Sequence, residues 1–469
     1  MIRSGEVFHS SSRCVCPACR RIVDGTRIER GGKVYLRREC PDHGRSEALI
    51  SGDAGWFRRM SSYVRRGSVP LRFSTGVARG CPADCGLCPD HEQHTCLPIV
   101  EITDHCNLEC PICLVENRNG THMSREDFVA ILDGLVAKEG EIDTVNLSGG
   151  EPTLHPRFLE FLDLARRPGI GRISVSTNGL RLAADRALCE ELARRGVYAN
   201  LQLDTLDGGA LRTLRGRGDH AETKRKALEN LERAGVRTTI VATAVRGVND
   251  GFLGDCVRLL LEKDFLLSLM IQPAAYTGKG GSCFPHDPLD VLTIPDVVRR
   301  IEEQTGGLLR ASDFVPLPCS HPACFGLTYL LKTADGVVPF PRFLEMGRFL
   351  DVIENRGTVR PDERLEETMR ETVDRLWSGA GQIPDGAKIL AALKRALRMM
   401  YPEDRVLELE ERLRTGEGLV KTIFIHAFQD EHTFEVERVR KCCTQYALPD
   451  GRLMPACAYN LFYRRGSRP

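Results

Sequence analysis

The chain has 469 residues, 65 Lys and Arg against 64 Asp and Glu, and a formal net charge of +1. Its 42% hydrophobic and 28% charged residues exclude a disordered or collagen-like chain, and the balanced charge excludes bulk electrostatic binding to nucleic acid. What sets it apart is 19 Cys. No apolar run approaches the roughly 18 residues of a membrane span, and residues 1–14 lack the apolar stretch of a secretory signal. A cytoplasmic chain with reduced thiols is therefore expected, in which grouped Cys read as metal ligands before disulfides.

In chain order, the first group is Cys14, Cys16, Cys19 and Cys40, with His43 close behind. A knuckle at Cys16 and Cys19 faces another at Cys40 and His43 across a hairpin expected at Gly31-Gly32. That arrangement suits one tetrahedral zinc or iron, with Cys14 as the alternative to His43. In so short and core-poor a segment the ion supplies folding free energy. The second group, Cys81, Cys85, Cys88 and Cys96, can fill all four positions of a [4Fe–4S] cluster. Structural zinc is the alternative, and His91 and His94 are competing ligands.

An alternating segment at 99–103 reads as a strand that runs into Cys106, Cys110 and Cys113. Three thiolates are one short of a closed [4Fe–4S] site, so one iron keeps an open position. A zinc knuckle missing its fourth ligand is the alternative. Downstream, Val145 and Leu147 mark a strand broken by Gly149 and Gly150, which allow close backbone approach. Glu151 follows, with a carboxylate suited to an ammonium group, then Pro152. Helical patterns at 157–166, 182–195, 222–234 and 252–263 alternate with strand patterns at 172–176, 198–203, 237–245 and 266–271. About six β-α units over 98–275 predict an α/β core with a parallel sheet and outer helices. Polar residues at the strand ends, Ser176 and Asn178, Gln202 and Asp204, Thr243, and Gln272, are candidate contacts to a ligand.

The flanking segments, 1–97 and 276–469, read as a Cys-rich domain and a C-terminal domain. In the latter, Cys319 and Cys324 pair with Cys443 and Cys457 as a further four-Cys site, with Cys442 as the alternative to Cys443; ordinary buried Cys are the other reading. Cys189 and Cys256 read as small buried hydrophobes. Residues 355–415 look like a helical insert. Within it, 388–400 places Ile389, Leu393 and Met400 on one face and basic residues on the other, the pattern either of an interfacial helix or of a surface helix packed on the core.

The Cys106, Cys110, Cys113 loop and the Gly149-Gly150-Glu151-Pro152 string together resemble the radical S-adenosylmethionine (SAM) superfamily. The resemblance implies a partial (β/α)6 barrel with its site at the C-terminal strand ends, an α+β C-terminal domain carrying an auxiliary cluster, and SAM chelated by the open iron. It implies that the Gly-Gly-Glu strand holds the SAM amine, that Ser176 and Gln202 face its ribose, and that one electron releases a 5′-deoxyadenosyl radical. Ile112 departs from the family, where many members carry an aromatic residue. The strings 40–44, 80–88, 94–96, 317–322 and 446–460 are similar to one branch, the tetraether lipid synthases formerly described as pterin C-methylases. That branch implies three [4Fe–4S] clusters, one mononuclear iron or zinc, and an external flavodoxin-like or ferredoxin-like electron donor. The expected reaction is carbon–carbon bond formation at an unactivated carbon, most simply between lipid tails, with peripheral membrane contact. The alternatives are C-methylation of a small heterocycle and, in a different class, non-catalytic electron transfer.

Overall fold

The computed structural model describes residues 3–115, 120–216, 218, 220–356, 362–379 and 383–464. Its N-terminal part is a four-stranded antiparallel meander, β1 (Val7–Val15), β2 (Ile22–Arg30), β3 (Lys33–Cys40) and β4 (Gly44–Ser51), ordered as in the chain. Gly31 and Gly32, at φ of 58° and 73°, form the two-residue turn between β2 and β3, a geometry that needs a left-handed backbone at both positions. The helix Ala54–Ser62, capped by Asp53, leads away toward the core.

Six parallel strands follow: β5 (Leu97–Thr103), β6 (Val145–Gly149), β7 (Ile173–Thr177), β8 (Tyr198–Gln202), β9 (Thr238–Ala244) and β10 (Leu266–Pro273). Strand residues alternate between the two faces. Val100 and Ile102 of β5 enter the core beneath Phe128, Ile131 and Leu132 of the helix Arg125–Glu139. The opposite face carries Asn146, Ser174, Ser176 and Asn200, which bond to one another. The predicted α/β partial barrel is therefore present, with an apolar outer layer under helices and a polar lumen.

The sheet does not stop at residue 275, as the expected domain boundary supposes. It has eleven strands, adding β11 (Phe325–Lys332), β12 (Val337–Pro339), β13 (Val420–His426), β14 (Thr444–Ala447) and β15 (Leu453–Pro455). Strand β13 extends the parallel array beside β10, with β11 and β12 antiparallel beyond it. Strand β14 lies parallel to β5 at the other edge, and β15 pairs with β14. The C-terminal segment thus covers both edges of the core sheet, which otherwise would expose unpaired backbone.

The insert supplies the helices Glu363–Ser378, Gly386–Met400 and Leu409–Glu417. The apolar face of the middle one points inward: Ile389 and Leu393 pack with Leu331, Val338, Phe343 and Leu376, and Met400 packs with Leu419. Of the two readings of this segment, the structure takes the packed helix. Among the described residues, no helix is long and apolar enough to cross a membrane.

Candidate active site and metal centres

The Cys106–Cys113 loop leaves the C-terminal end of β5, beside the end of β6. Gly149, at φ +134°, and Gly150 are what allow this neighbourhood. A Cβ on Gly149 would sit 2.0 Å from Thr103 O, and one on Gly150 would sit 2.3 Å from His105 O. The close approach is to the backbone at the root of the Cys loop, and Gly150 N and Glu151 N donate to Thr103 O and His105 O at 2.8 Å each. Cys106, Cys110 and Cys113 are half-buried. Burial pushes the Cys106 thiol up to about 11, and the charges of Glu151, Cys110 and Cys113 push the same way. Three thiols sharing one half-open space, with no fourth Cys in the loop, suit a cluster with one open corner.

Glu151 does something other than the sequence suggests. Its carboxylate is buried and accepts from four of the protein's own donors: Thr153 N at 3.2 Å, Thr153 Oγ1 at 2.6 Å, Thr177 Oγ1 at 2.9 Å and Asn178 N at 2.7 Å. It ties the end of β6 to the end of β7, where an ammonium-binding carboxylate was expected. Pro152 opens the short 3₁₀ turn that carries Thr153 into reach. Asn178 passes the tie on, donating from Nδ2 to Asn107 Oδ1 at 2.7 Å inside the Cys loop.

The predicted ribose contacts are also largely committed. Ser176 is half-buried in the lumen and bonds Asn146. Gln202 accepts from Lys224 Nζ at 2.7 Å and donates to Asp204. Asp204 has no exposed surface; it receives Arg215 in a two-pronged bond of 2.7 and 2.6 Å and Thr243 N at 2.8 Å. Asp204, a candidate ligand contact in the sequence, is a sealed carboxylate holding a guanidinium and serves as a structural anchor.

Two residues here have no counterpart among the predicted ones. Burial works against the charge of Arg215, but Asp204 and the nearby Cys110 outweigh it. The guanidinium thus places a fixed positive charge against a cluster-loop thiol. Lys224 is fully buried and also donates to Asn178 O. Burial pulls its ammonium down to about 8, and Arg215 adds to the fall. Both lie in amphipathic helical segments, where Arg and Lys read as solvent-facing.

Two cavities adjoin the barrel. One, of about 410 Å³, opens beside Gly149 and Gly150 and is lined by Glu101, Asp104, His122, Tyr446, Tyr459 and Arg464. Arg464 pairs with both Glu101 oxygens at 2.9 and 2.8 Å and lies over the rings of Tyr446 and Tyr459, 5.1 and 4.8 Å from their centres. The other, of about 330 Å³, lies in the lower lumen under the insert. Ser174, Asn200, Thr239 and Ser268 face it from the strands, and Phe325, Tyr329, Phe340, Leu393, Met400 and Phe424 from the far wall.

The remaining Cys sort by what their sulfur does. Cys16, Cys19, Cys40 and His43 bring their ligand atoms within 4.8 Å of one another. Cys14 is sealed in the meander core, donates to Val23 O at 3.5 Å, and is pushed by burial up to about 12, so the structure removes it as an alternative to His43. Cys442 donates to Thr444 O, as Cys189 and Cys256 donate to carbonyls, which is thiol behaviour. Cys319 and Cys457, by contrast, accept backbone N–H groups at 3.3 Å, as thiolates do. The expected four-Cys group of residues 81–96 is split. Cys85 lies beside Cys81, with Cys88 close by, whereas Cys96 lies beside Cys319 and Cys443. The cause is strand pairing: β14 sets Thr444 opposite Leu97, which brings the neighbouring Cys443 to Cys96. Cys324 lies beside Cys443, held by Arg438 Nε at 3.4 Å, and Cys457 lies near Cys324.

Comparison with known proteins matches this layout. Residues 100–260 match the radical SAM superfamily, and residues 8–52 match the HMPTM N-terminal zinc ribbon domain. The chain is 29% identical to the 7,8-dihydro-6-hydroxymethylpterin dimethyltransferase of Methanocaldococcus jannaschii, over 96% of this chain and 93% of that protein. It is 30% identical to the GTP 3′,8-cyclase of Desulforamulus reducens over 51% of this chain and 71% of the cyclase. For the GTP 3′,8-cyclase of Chlorobaculum tepidum the identity is 34%, over 37% of this chain and 53% of the cyclase. The chain belongs to the radical SAM superfamily, on the branch that joins this core to an HMPTM-type zinc ribbon.

Proposed function

We propose that this chain is a radical SAM C-methylase acting on a small planar heterocycle of the pterin type, which binds in the cavity of about 410 Å³ beside Gly149 and Gly150. The character of that cavity carries the reading. It adjoins the Cys106–Cys113 loop, and its wall carries the aromatic side chains Tyr446 and Tyr459 with the Arg464 guanidinium over them, paired to Glu101, a stack of planar groups that a planar heterocycle can extend or displace. The pterin dimethyltransferase activity of the M. jannaschii relative, matched over 93% of its length, supports the same substrate class.

In this reading Cys106, Cys110 and Cys113 hold a [4Fe–4S] cluster whose open iron takes SAM. When bound, that pair supplies a 5′-deoxyadenosyl radical that removes a substrate hydrogen. The protein's part is positional: Gly149 and Gly150 seat the loop, Glu151 and Asn178 lock it, and Arg215 holds positive charge against Cys110. Cys16, Cys19, Cys40 and His43 hold the mononuclear ion of the zinc ribbon. Two auxiliary clusters sit on the groups around Cys85 and around Cys443, a flavodoxin-like or ferredoxin-like protein delivers the electron, and a folate-like donor supplies the carbon.

A second reading, the joining of lipid tails, draws on the chamber of about 330 Å³ under the insert, whose far wall is apolar. Anaerobic reconstitution with SAM, a reductant and a reduced folate carrying the one-carbon unit, with a dihydropterin or a phospholipid as acceptor, separates the two. The first reading expects 5′-deoxyadenosine and a methylated dihydropterin, both lost in Cys106→Ala. Cross-linked lipid tails with an unmodified pterin would select the second reading.

A further inference from the structure

Three thiols from distant parts of the chain meet at Cys96. Cys443 O accepts from both Cys96 N and Leu97 N, at 2.9 and 3.0 Å. Cys96 neighbours the side chains of Cys319 and Cys443, and Cys319 also receives Asn355 N at 3.3 Å. All three Cys are buried. A four-ligand centre here lacks one donor, and two side chains are close enough to supply it.

Cys324 lies beside Cys443, on the side away from His94, where Arg438 Nε donates to its sulfur at 3.4 Å. His94 stands on the other side, with Nε2 3.3 Å from Cys96 Sγ and its ring facing Cys319. Its second nitrogen, Nδ1, lies 3.7 Å from Glu139 Oε2, on a carboxylate side chain only 1% exposed. The other oxygen of Glu139 accepts Thr95 N at 3.1 Å, which fixes the carboxylate in place. At 3.7 Å the approach of Nδ1 to Glu139 is a charge contact and not yet a hydrogen bond; closing it would place the proton on Nδ1 and free the far nitrogen to act as a ligand. That far nitrogen now rests 3.1 Å from Asn355 O, a contact it would exchange for a metal. Gln93 adds an independent sign: it is fully buried, turns toward Cys319, and carries an Nε2 with no partner in hydrogen-bond geometry. A cluster sulfide would satisfy it. Among the described residues only the Cys16 group draws its ligand atoms within 4.8 Å of one another.

We propose that His94, backed by Glu139, is the fourth ligand of an iron–sulfur cluster held by Cys96, Cys319 and Cys443. The proposal concerns ligation alone and stands apart from the choice of methyl acceptor. The test uses the full-length, reconstituted protein with ¹⁵N-labelled histidine, reduced and studied by pulsed electron paramagnetic resonance. The expected result is a strong histidine-nitrogen coupling on one reduced cluster. That coupling disappears in His94→Cys, which keeps its iron content because a thiolate replaces the imidazole, and it persists in Cys324→Ala. Absence of the coupling in the unmodified protein, or its survival in His94→Cys, overturns the proposal. So does loss of one cluster's iron in Cys324→Ala but not in His94→Ala. Release of 5′-deoxyadenosine, measured on the same samples, reports on the Cys106 site, so failure of the reaction and failure of the ligand assignment are told apart.

Discussion

Replacing Glu151 by Gln separates two roles that a carboxylate after paired glycines can have. In the structure Oε1 accepts three bonds, from Thr153 N, Thr153 Oγ1 and Thr177 Oγ1, and Oε2 accepts one, from Asn178 N. A Gln side chain keeps its carbonyl oxygen on the three-donor side and turns its NH₂ toward the Asn178 N–H. One charge-assisted bond is then lost and two donors face each other in a buried site, at a cost of about 1.5–3 kcal/mol. Taking about 2 kcal/mol, and a urea slope of about 3 kcal/mol/M, the midpoint falls by about 0.7 M. Asn178 is also the residue that grips Asn107 in the Cys loop, so SAM cleavage should fall along with stability. The assay pairs urea unfolding with anaerobic 5′-deoxyadenosine release. A Glu151→Gln protein as stable as the parent but unable to cleave SAM would refute the tie and restore the ammonium-binding role. Full stability with full cleavage would refute both.

Three further outcomes follow from the same geometry. Gly149→Ala places a methyl 2.0 Å from Thr103 O at a φ of +134°, so about 1–3 kcal/mol of backbone strain and a displaced Cys loop should appear as a lower melting temperature and fewer irons per chain by colorimetric assay. Arg215→Met leaves the Asp204 carboxylate buried and unpaired, which should cost about 3–5 kcal/mol in urea unfolding, whereas a mutation of the exposed Arg186–Glu190 pair should cost little. Lys224, whose ammonium falls from 10.5 to about 8 on folding, is charged in both states below pH 8, where its burial penalty is full. Between pH 8 and 10.5 the unfolded chain binds the extra proton, so this group's contribution to stability should rise by about 3 kcal/mol, a rise that Lys224→Met abolishes in pH-dependent unfolding.

The barrel was legible because its signals are local. Alternation in β5 to β10, glycines after β6, and helical periodicity between strands are all written within a few residues of where they act. The half-buried Cys106, Cys110 and Cys113 were legible for the same reason, as was the group of Cys16, Cys19, Cys40 and His43 across a two-glycine turn. Where one residue type serves two purposes, reading by type failed. Glu151 and Asp204 look like ligand-binding carboxylates, and only their buried donors show them to be internal ties. Lys224 and Arg215 look like solvent-facing helix residues until β8 and the Cys loop are placed over them.

Cys96 shows a different kind of limit. Spacing alone groups it with Cys81, Cys85 and Cys88, since four Cys within one short segment are the cheapest loop to close. What overrides this is the parallel pairing of β14 with β5, two strands separated in the chain by the whole barrel and the insert. No pattern near residue 96 encodes a partner near residue 443. The information lies in the edge of β5, which must be covered, and in a late strand able to cover it. A centre assembled from Cys96, Cys319 and Cys443 therefore cannot form in the N-terminal segment alone, and its ligands converge only when both ends of the sheet have closed on the core. A metal centre held there, as proposed, would load only with tertiary folding, whereas the Cys16 group, complete within β1 to β4, would need the meander alone.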